Sequence, residues 1–342
     1  MPLVEMTLEQ RRQIIDTEQM WQAWAMARRR AAGYLGSMGW KTSNGREYLI
    51  RQGTEDRGRR TRGLGPRSAE TERILQEFHD GKAAAREALK KTSGRLSEMA
   101  RMNRALRLGR VPLPAAKVAR SLERRGILGK NVLVVGTNAI FAYEAAAGVF
   151  VDTPMLATND LDILFDARTR LRLRVEKETP VLLDALKDAD PSFERIGPRG
   201  YSAVNADGYY VDLLKATPRN VLASREPDTL GSSADLHASH ISNMQWVTNA
   251  PKFSAMAVGA DGAPVPLACP DPRAFALYKL WMGTRDPARD PLKRARDVQQ
   301  AKAVAGIVNE YMPNLPFEPE HLTCFPRRAT DLALEAEFFK LR

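Results

Sequence analysis

Val132-Leu133-Val134-Val135-Gly136-Thr137-Asn138 opens the stretch on which the fold turns, and Thr158-Asn159-Asp160-Leu161-Asp162-Ile163-Leu164 closes it. Four consecutive apolar residues between turn signals read as a buried strand. Gly136-Thr137-Asn138 ends that run, and an alanine-rich segment from Ala139 to about Ala147 reads as a helix. The closing segment alternates acidic and apolar residues, the period of a second strand. Strand, Gly-Thr turn, helix and Asp-x-Asp strand make an α/β layout suited to holding a triphosphate and divalent cations.

The chemistry follows from the pleat. Residues i and i+2 of a strand face the same way, roughly 7 Å apart, so Asp160 and Asp162 project together while Leu161 and Ile163 face the core. Two carboxylates held close repel unless a cation sits between them, and Mg²⁺ takes oxygen ligands of this kind beside phosphates. Tyr209-Tyr210-Val211-Asp212-Leu213-Leu214 repeats the alternation around a third acid. If its strand neighbours the first, Asp160, Asp162 and Asp212 converge as metal ligands, with Mg²⁺ or Mn²⁺ as the expected ion. That permits a two-metal phosphoryl transfer. Gly136 lets backbone approach a phosphate closely, and the N–H groups where strand passes to helix can bind it, with the Thr137 hydroxyl adding a bond. Without the carboxylates, the same turn would be an ordinary strand-to-helix connection.

Val135-Gly136-Thr137, Asp160-Leu161-Asp162 and Asp212 together resemble the signature of the nucleotidyltransferase superfamily that includes DNA polymerase beta, CCA-adding enzymes and aminoglycoside nucleotidyltransferases. The resemblance covers about residues 131–300. Thr137 stands where Ser or Gly is usual, and the gap from Gly136 to Asp160 is longer than in minimal members, so an insertion around Gly148–Ala157 has to be accommodated. Val134–Gly148 and Phe275–Gln299 are also similar to a bacterial nucleotidyltransferase-like family of unassigned substrate, whose relatives include abortive-infection-type toxins. In the toxin-like relatives a lysine in this helix contacts the nucleotide phosphates and an aspartate one helix later completes the site. The resemblance therefore implies phosphate and nucleotide roles for Lys279 and Asp297, with Arg285, Lys293 and Arg296 nearby. It also implies transfer of NMP from an NTP to an acceptor hydroxyl, with Asp160, Asp162 and Asp212 catalytic and Gly136, Thr137 and Asn138 on the nucleotide.

The rest of the chain bears on the acceptor. The 342 residues are 44% hydrophobic with mixed charge, a globular composition long enough for two or three domains. The net charge of +11 is uneven: residues 1–130 carry 28 Lys and Arg against 14 Asp and Glu, whereas residues 131–342 carry 24 against 27. The basic front is either a contact for a polyanion, most simply an RNA such as tRNA, or a solvated helical surface. Two distant cysteines, Cys269 and Cys324, form no CxxC pattern and point to a reducing cytoplasm. The first residues lack a signal-peptide pattern, and the longest apolar run, Ala139–Val151, is too short for a bilayer and is interrupted by Glu144. His237 and His240 lie in a polar loop without nearby Cys, a poor start for a zinc site. Trp246, Tyr209 and Tyr210 are stacking candidates or packing residues.

The expected architecture is α/β (α+β). A basic, mostly helical region over 1–130 holds helices at about 7–34 and 68–108 and a hairpin at 38–51 around Asn44-Gly45. A small mixed-sheet core follows over 131–268, then a helical subdomain over 269–342. Glu55–Arg67, arginine-rich among glycines, reads as an exposed flexible loop or an electrostatic clamp. Arg28-Arg29-Arg30 suits either the C-terminal dipole of its helix or phosphate contact. The apolar stripe Ile74, Phe78, Ala85, Leu89, Leu96, Met99 and Leu106 fits a helical hairpin better than a dimer seam. Thr217–His240 reads as a loop, Lys252–Val258 and Pro264–Ala268 as strands, and Pro272–Gly283, Pro291–Ile307 and Ala329–Leu341 as helices. The acceptor stays open between an RNA, a protein side chain or small molecule, and no acceptor at all in an inactive RNA-binding module.

Overall fold

A computed structural model describes residues 3–53, 61–151, 153–169, 182–218, 227–336 and 339. In chain order the elements begin with β1 (Val4–Glu5), α1 (Leu8–Ala32), β2 (Ser37–Ser43), β3 (Arg46–Gln52), β4 (Thr61–Pro66), α2 (Ala69–Ala105) and α3 (Leu113–Arg124). There follow β5 (Val132–Val135), α4 (Ile140–Ala147), β6 (Val149–Phe150), α5 (Thr153–Leu156), β7 (Asp160–Phe165), α6 (Leu182–Ala189), β8 (Glu194–Arg195), β9 (Ser202–Val204) and β10 (Tyr210–Ala216). The last are β11 (Ser239–Ile241), α7 (Met244–Asn249), β12 (Lys252–Val258), β13 (Pro264–Pro270), α8 (Pro272–Thr284), α9 (Pro291–Tyr311) and α10 (Arg327–Glu335). The mixture of helix and sheet is the expected α/β class. No helix among the described residues is long and apolar enough to cross a membrane.

By its contacts the chain divides into two compact units, Ile15–Met102 and Met1–Ile14 with Asn103–Arg342. In the first, β2, β3 and β4 form an antiparallel sheet. Asn44 and Gly45 both take positive φ, at 51° and 75°, the mirror-image turn that matches strand twist. The segment from Thr61 to Pro66 is not the loop that its arginines and glycines suggest. It pairs with β3, from Tyr48↔Pro66 to Gln52↔Thr61, through a register shift at Leu49/Ile50. Residues 55–60 of that expected loop lie outside the described residues. The helices of this unit pack antiparallel: Trp24 Nε1 donates to Ser93 Oγ at 3.1 Å, and the rings of Tyr34 and Phe78 lie 5.7 Å apart. Much of the apolar stripe is consumed there, with Phe78 and Ala85 buried.

The larger unit is built on a six-stranded sheet of order β5-β7-β10-β9-β8, with β11 paired to β10. β7 and β10 run parallel, and β5 and β9 flank them antiparallel. All four residues of β5 are buried, as its unbroken apolar run requires. β10 alternates buried Val211, Leu213 and Lys215 with the less buried Asp212 and Leu214. β11 corrects part of the expected Thr217–His240 loop: Ser239–Ile241 adds a short parallel edge strand, too short and polar to show a period. Helix α7 was not expected, and its Trp246 is packed against Trp281 and Phe325 rather than free to stack.

The insertion after α4 is accommodated locally. Gly148 ends α4 with φ 68°, and β6 then pairs antiparallel with β1. The carboxylate of Glu144, itself buried, accepts from Val151 N at 2.5 Å and from Arg110 Nη2 at 3.0 Å. Arg110 Nη2 also donates to Val151 O at 2.7 Å, so one ion pair anchors the returning chain. Each of the two long C-terminal helices starts on an Asp-Pro pair. Asp271 Oδ1 accepts from Arg273 N at 2.8 Å and Asp290 Oδ1 from Leu292 N at 2.9 Å, with proline at the first helical position. The last helix covers Arg327–Glu335 and ends at Ala336, inside the expected Ala329–Leu341; residues 337–338 and 340–341 of that expectation lie outside the described residues. Beyond it Phe339 is buried against Phe317, ring centroids 4.9 Å apart.

Candidate active site

The carboxylates come from the two central strands. Parallel pairing puts Asp212 opposite Asp162, and Tyr210 opposite Asp160. Asp162 and Asp212 line a cleft of about 470 Å³ with Gly136, Lys279, Lys293 and Asp297. Asp160 lines an adjoining groove of about 460 Å³ with Tyr210 and Arg296, and both hollows share Asp212 and Lys293.

Gly136 is required by close approach. Its φ is 63°, and a Cβ built on it would stand 2.1 Å from Asp162 Oδ2. The turn therefore seats a carboxylate as well as ending a strand. Burial pushes the Asp162 carboxyl up to about 6, and the charges of Asp160 and Asp212 add to it, against the pull of Lys279 and Lys293. Asp212 is raised by burial and by Asp160, opposed by the hydroxyl of Ser202, which donates to its Oδ1 at 2.5 Å. Asp160 is tied at both ends. Its carboxylate accepts from Thr158 Oγ1, and its backbone carbonyl accepts from Asn138 Nδ2 at 2.8 Å and Tyr209 Oη at 3.2 Å.

Thr137 and Asn138 lie beside this floor, with side chains engaged inside the protein. Thr137 Oγ1 accepts from Arg296 Nη2 and Gln300 Nε2, each at 3.1 Å, and Asn138 is buried under Asp160. Of the Gly-Thr-Asn turn, Gly136 alone lines the cleft.

The opposite wall is helical. Lys279 Nζ donates to Asp297 Oδ1 at 2.7 Å, and Arg289 Nε donates to Asp297 Oδ2 at 2.5 Å. Asp297 is buried, and burial lowers Lys279 while Asp297 supports its charge. Lys293 is exposed at the mouth of the cleft. Arg285 points elsewhere, 3.5 Å from Glu335. His237 and His240 do not pair: His237 Nε2 meets Ser233 O and His240 Nε2 meets Asp228.

Two cleft residues, Arg289 and Tyr278, and Ser202 behind Asp212 escaped the sequence reading. Arg289 sits between two helices, where no period operates. Ser202 reaches Asp212 through antiparallel pairing that only the folded sheet reveals. Tyr278 did carry a signal, since Phe275, Tyr278 and Met282 step by three and four residues on the helix that bears Lys279, and all line the cleft.

Among the described residues no three acidic, histidine or cysteine side chains stand grouped so as to hold a metal ion. Asp160 and Asp212 are each turned to a neighbouring hydroxyl. The donor set nevertheless suits a hard divalent cation. Burial raises Asp162 and the charges of Asp160 and Asp212 add to it; a cation offsets both, and carboxylate oxygens are its ligands.

A family model described as Nucleotidyltransferase matches residues 114–323, more than half the chain. No curated protein and no solved structure matches it.

Proposed function

The chain belongs to the nucleotidyltransferase family, and on that premise we propose that it transfers NMP from an NTP to an acceptor hydroxyl. One observation carries the reading: Asp162 and Asp212 lie in register on neighbouring strands at a cleft whose other wall presents Lys279. The acceptor oxygen attacks the α-phosphorus, the bond to the β-phosphate oxygen breaks, and pyrophosphate leaves. Asp160, Asp162 and Asp212 would hold Mg²⁺ or Mn²⁺, which when bound supplies charge neutralisation and polarises phosphoryl oxygens. Ser202 occupies Asp212 Oδ1, leaving Oδ2 to take the acceptor proton, and burial raises the basicity of that carboxylate. Lys279, steadied by Asp297, faces charge on the departing pyrophosphate. Gly136 keeps Asp162 in place without intruding.

The acceptor we assign is an RNA, tRNA-like, as for a toxin-like enzyme of the reducing cytoplasm. The support is the basic front of the chain. Residues 15–102, which form their own compact unit, hold 18 Lys and Arg against 11 Asp and Glu. The test is incubation of the protein with each α-labelled NTP, Mg²⁺ or Mn²⁺, and either total RNA or protein extract. Label should move to RNA, and Asp160→Ala combined with Asp162→Ala should stop it while leaving the fold intact. Undiminished transfer by the double variant would sink the mechanism. Label on protein alone would reassign the acceptor.

A further inference from the structure

Tyr278 is 8% exposed, and its hydroxyl meets no hydrogen-bond partner among the described residues. Two other buried tyrosines are satisfied, Tyr143 by Pro270 O at 2.8 Å and Tyr209 by Asp160 O at 3.2 Å. A buried hydroxyl left unpaired carries an uncompensated loss of hydration, so its place in a cleft wall calls for a partner in what fills the cleft. The acidic neighbours are already engaged. Asp297 accepts from Lys279 and Arg289, and Asp286 Oδ1 accepts from Ala288 N at 3.0 Å. The charges felt at the phenol are those of Asp286, Arg289, Asp297 and Asp162, all lining the same cleft. Three of these four are acids, so a phosphate oxygen is held here through the cations of the same cleft, Lys279, Arg289 and Lys293, together with the divalent ion that the carboxylates would hold. Burial keeps the phenol protonated, so it is a neutral donor between the Asp162 floor and the Lys279–Arg289 cations.

We propose that Tyr278 Oη donates a hydrogen bond to a non-bridging phosphate oxygen of the bound NTP. The inference rests on the reading of this cleft as the NTP site. It assigns the hydroxyl a positioning role: with Lys279 it fixes the phosphate chain over the carboxylates, and it does so without adding charge.

The test is Tyr278→Phe in the full chain, which keeps the ring and removes only the hydroxyl. Melting of the free protein should be unchanged or raised, because an unpaired polar group is lost. Calorimetric affinity, with Mg²⁺, should fall roughly tenfold to a hundredfold, the worth of a hydrogen bond to a charged group. The fall should be seen both for the NTP that the wild type binds and for inorganic tripolyphosphate. Wild-type affinity for both probes in the variant would overturn the inference alone. Weaker NTP binding with tripolyphosphate unchanged would also overturn it, by moving the contact to sugar or base. A lowered melting temperature with parallel loss of both probes would make the hydroxyl structural. A wild-type protein that binds neither probe would remove the NTP-site reading itself, and this inference with it.

Discussion

Asp162 and Asp297 face each other across one cleft as the same residue in opposite company. Asp297 is buried against Lys279 at 2.7 Å and Arg289 at 2.5 Å. Asp162 shares its floor with Asp160 and Asp212, and burial with those two charges lifts its carboxyl to about 6. Two other buried acids follow Asp297: Glu144 has Arg110, and Asp271 has Arg273 at 2.7 Å. Asp235 is held instead by the backbone N–H groups of Leu182, Leu183 and Leu236. The helical wall is a completed electrostatic structure. The sheet wall holds excess negative charge, and a half-buried charge kept without a cationic partner is the mark of a group serving a ligand.

The comparison breaks most cleanly under one substitution made twice. Asp162→Asn should cut NMP transfer on the order of a thousandfold or more, since a ligand for the ion and its charge are both lost. The free protein should fold as well as before or better, because repulsion is removed. Asp297→Asn should act the other way on stability. It leaves Lys279 and Arg289 without their counter-charge, a cost of about 3–5 kcal/mol, read as a lower midpoint in denaturant. Equal destabilisation by the two variants would mean that the walls do not differ as described.

How much of this was legible in the sequence depends on how local each signal is. Asp160, Asp162 and Asp212 were readable because strand alternation has a period of two and leaves apolar residues on the other face. Their register, Asp162 opposite Asp212, was not, since it is set by pairing across residues far apart in the chain. Lys279 and Asp297 stood out by resemblance, but that they form one ion pair with Arg289 needed the packing of α8 on α9. β4 hid behind arginines and glycines because its face is largely exposed and has no apolar beat. The hydroxyl of Thr137 and the amide of Asn138 look like phosphate donors in a linear reading. In the fold, a tight turn aims them at Arg296, Gln300 and the Asp160 carbonyl.

Gly136 sharpens the comparison from the sheet side. Gly136→Ala adds a methyl that would stand 2.1 Å from Asp162 Oδ2 and 3.0 Å from its Cγ, on a backbone at φ 63°. The expected cost is about 1–3 kcal/mol of stability, with loss of transfer because Asp162 is displaced. In an Asp162→Ala background the colliding oxygen and Cγ are gone and only Cβ, at 3.2 Å, stays close, so the penalty should shrink toward the backbone strain, about 1 kcal/mol. Denaturant midpoints of the two singles and the double measure that coupling. An unchanged penalty would mean that Gly136 serves the turn and not the carboxylate.

The smallest effect isolates charge as the cause. The folded-state pKa of Asp162 lies above its unfolded value, so its contribution to stability is fully present below the unfolded pKa of about 3.8 and is lost as pH rises through about 6. Asparagine imitates the protonated acid at every pH. In a chelating buffer, the free Asp162→Asn variant should therefore melt above the wild type at pH 7.5. The gap should begin to narrow below pH 6 and close below about pH 3.8, where the carboxyl holds its proton in both the folded and the unfolded chain. A gap that stays constant over that range would assign the gain to packing rather than charge, and the contrast with Asp297 would then rest on geometry alone.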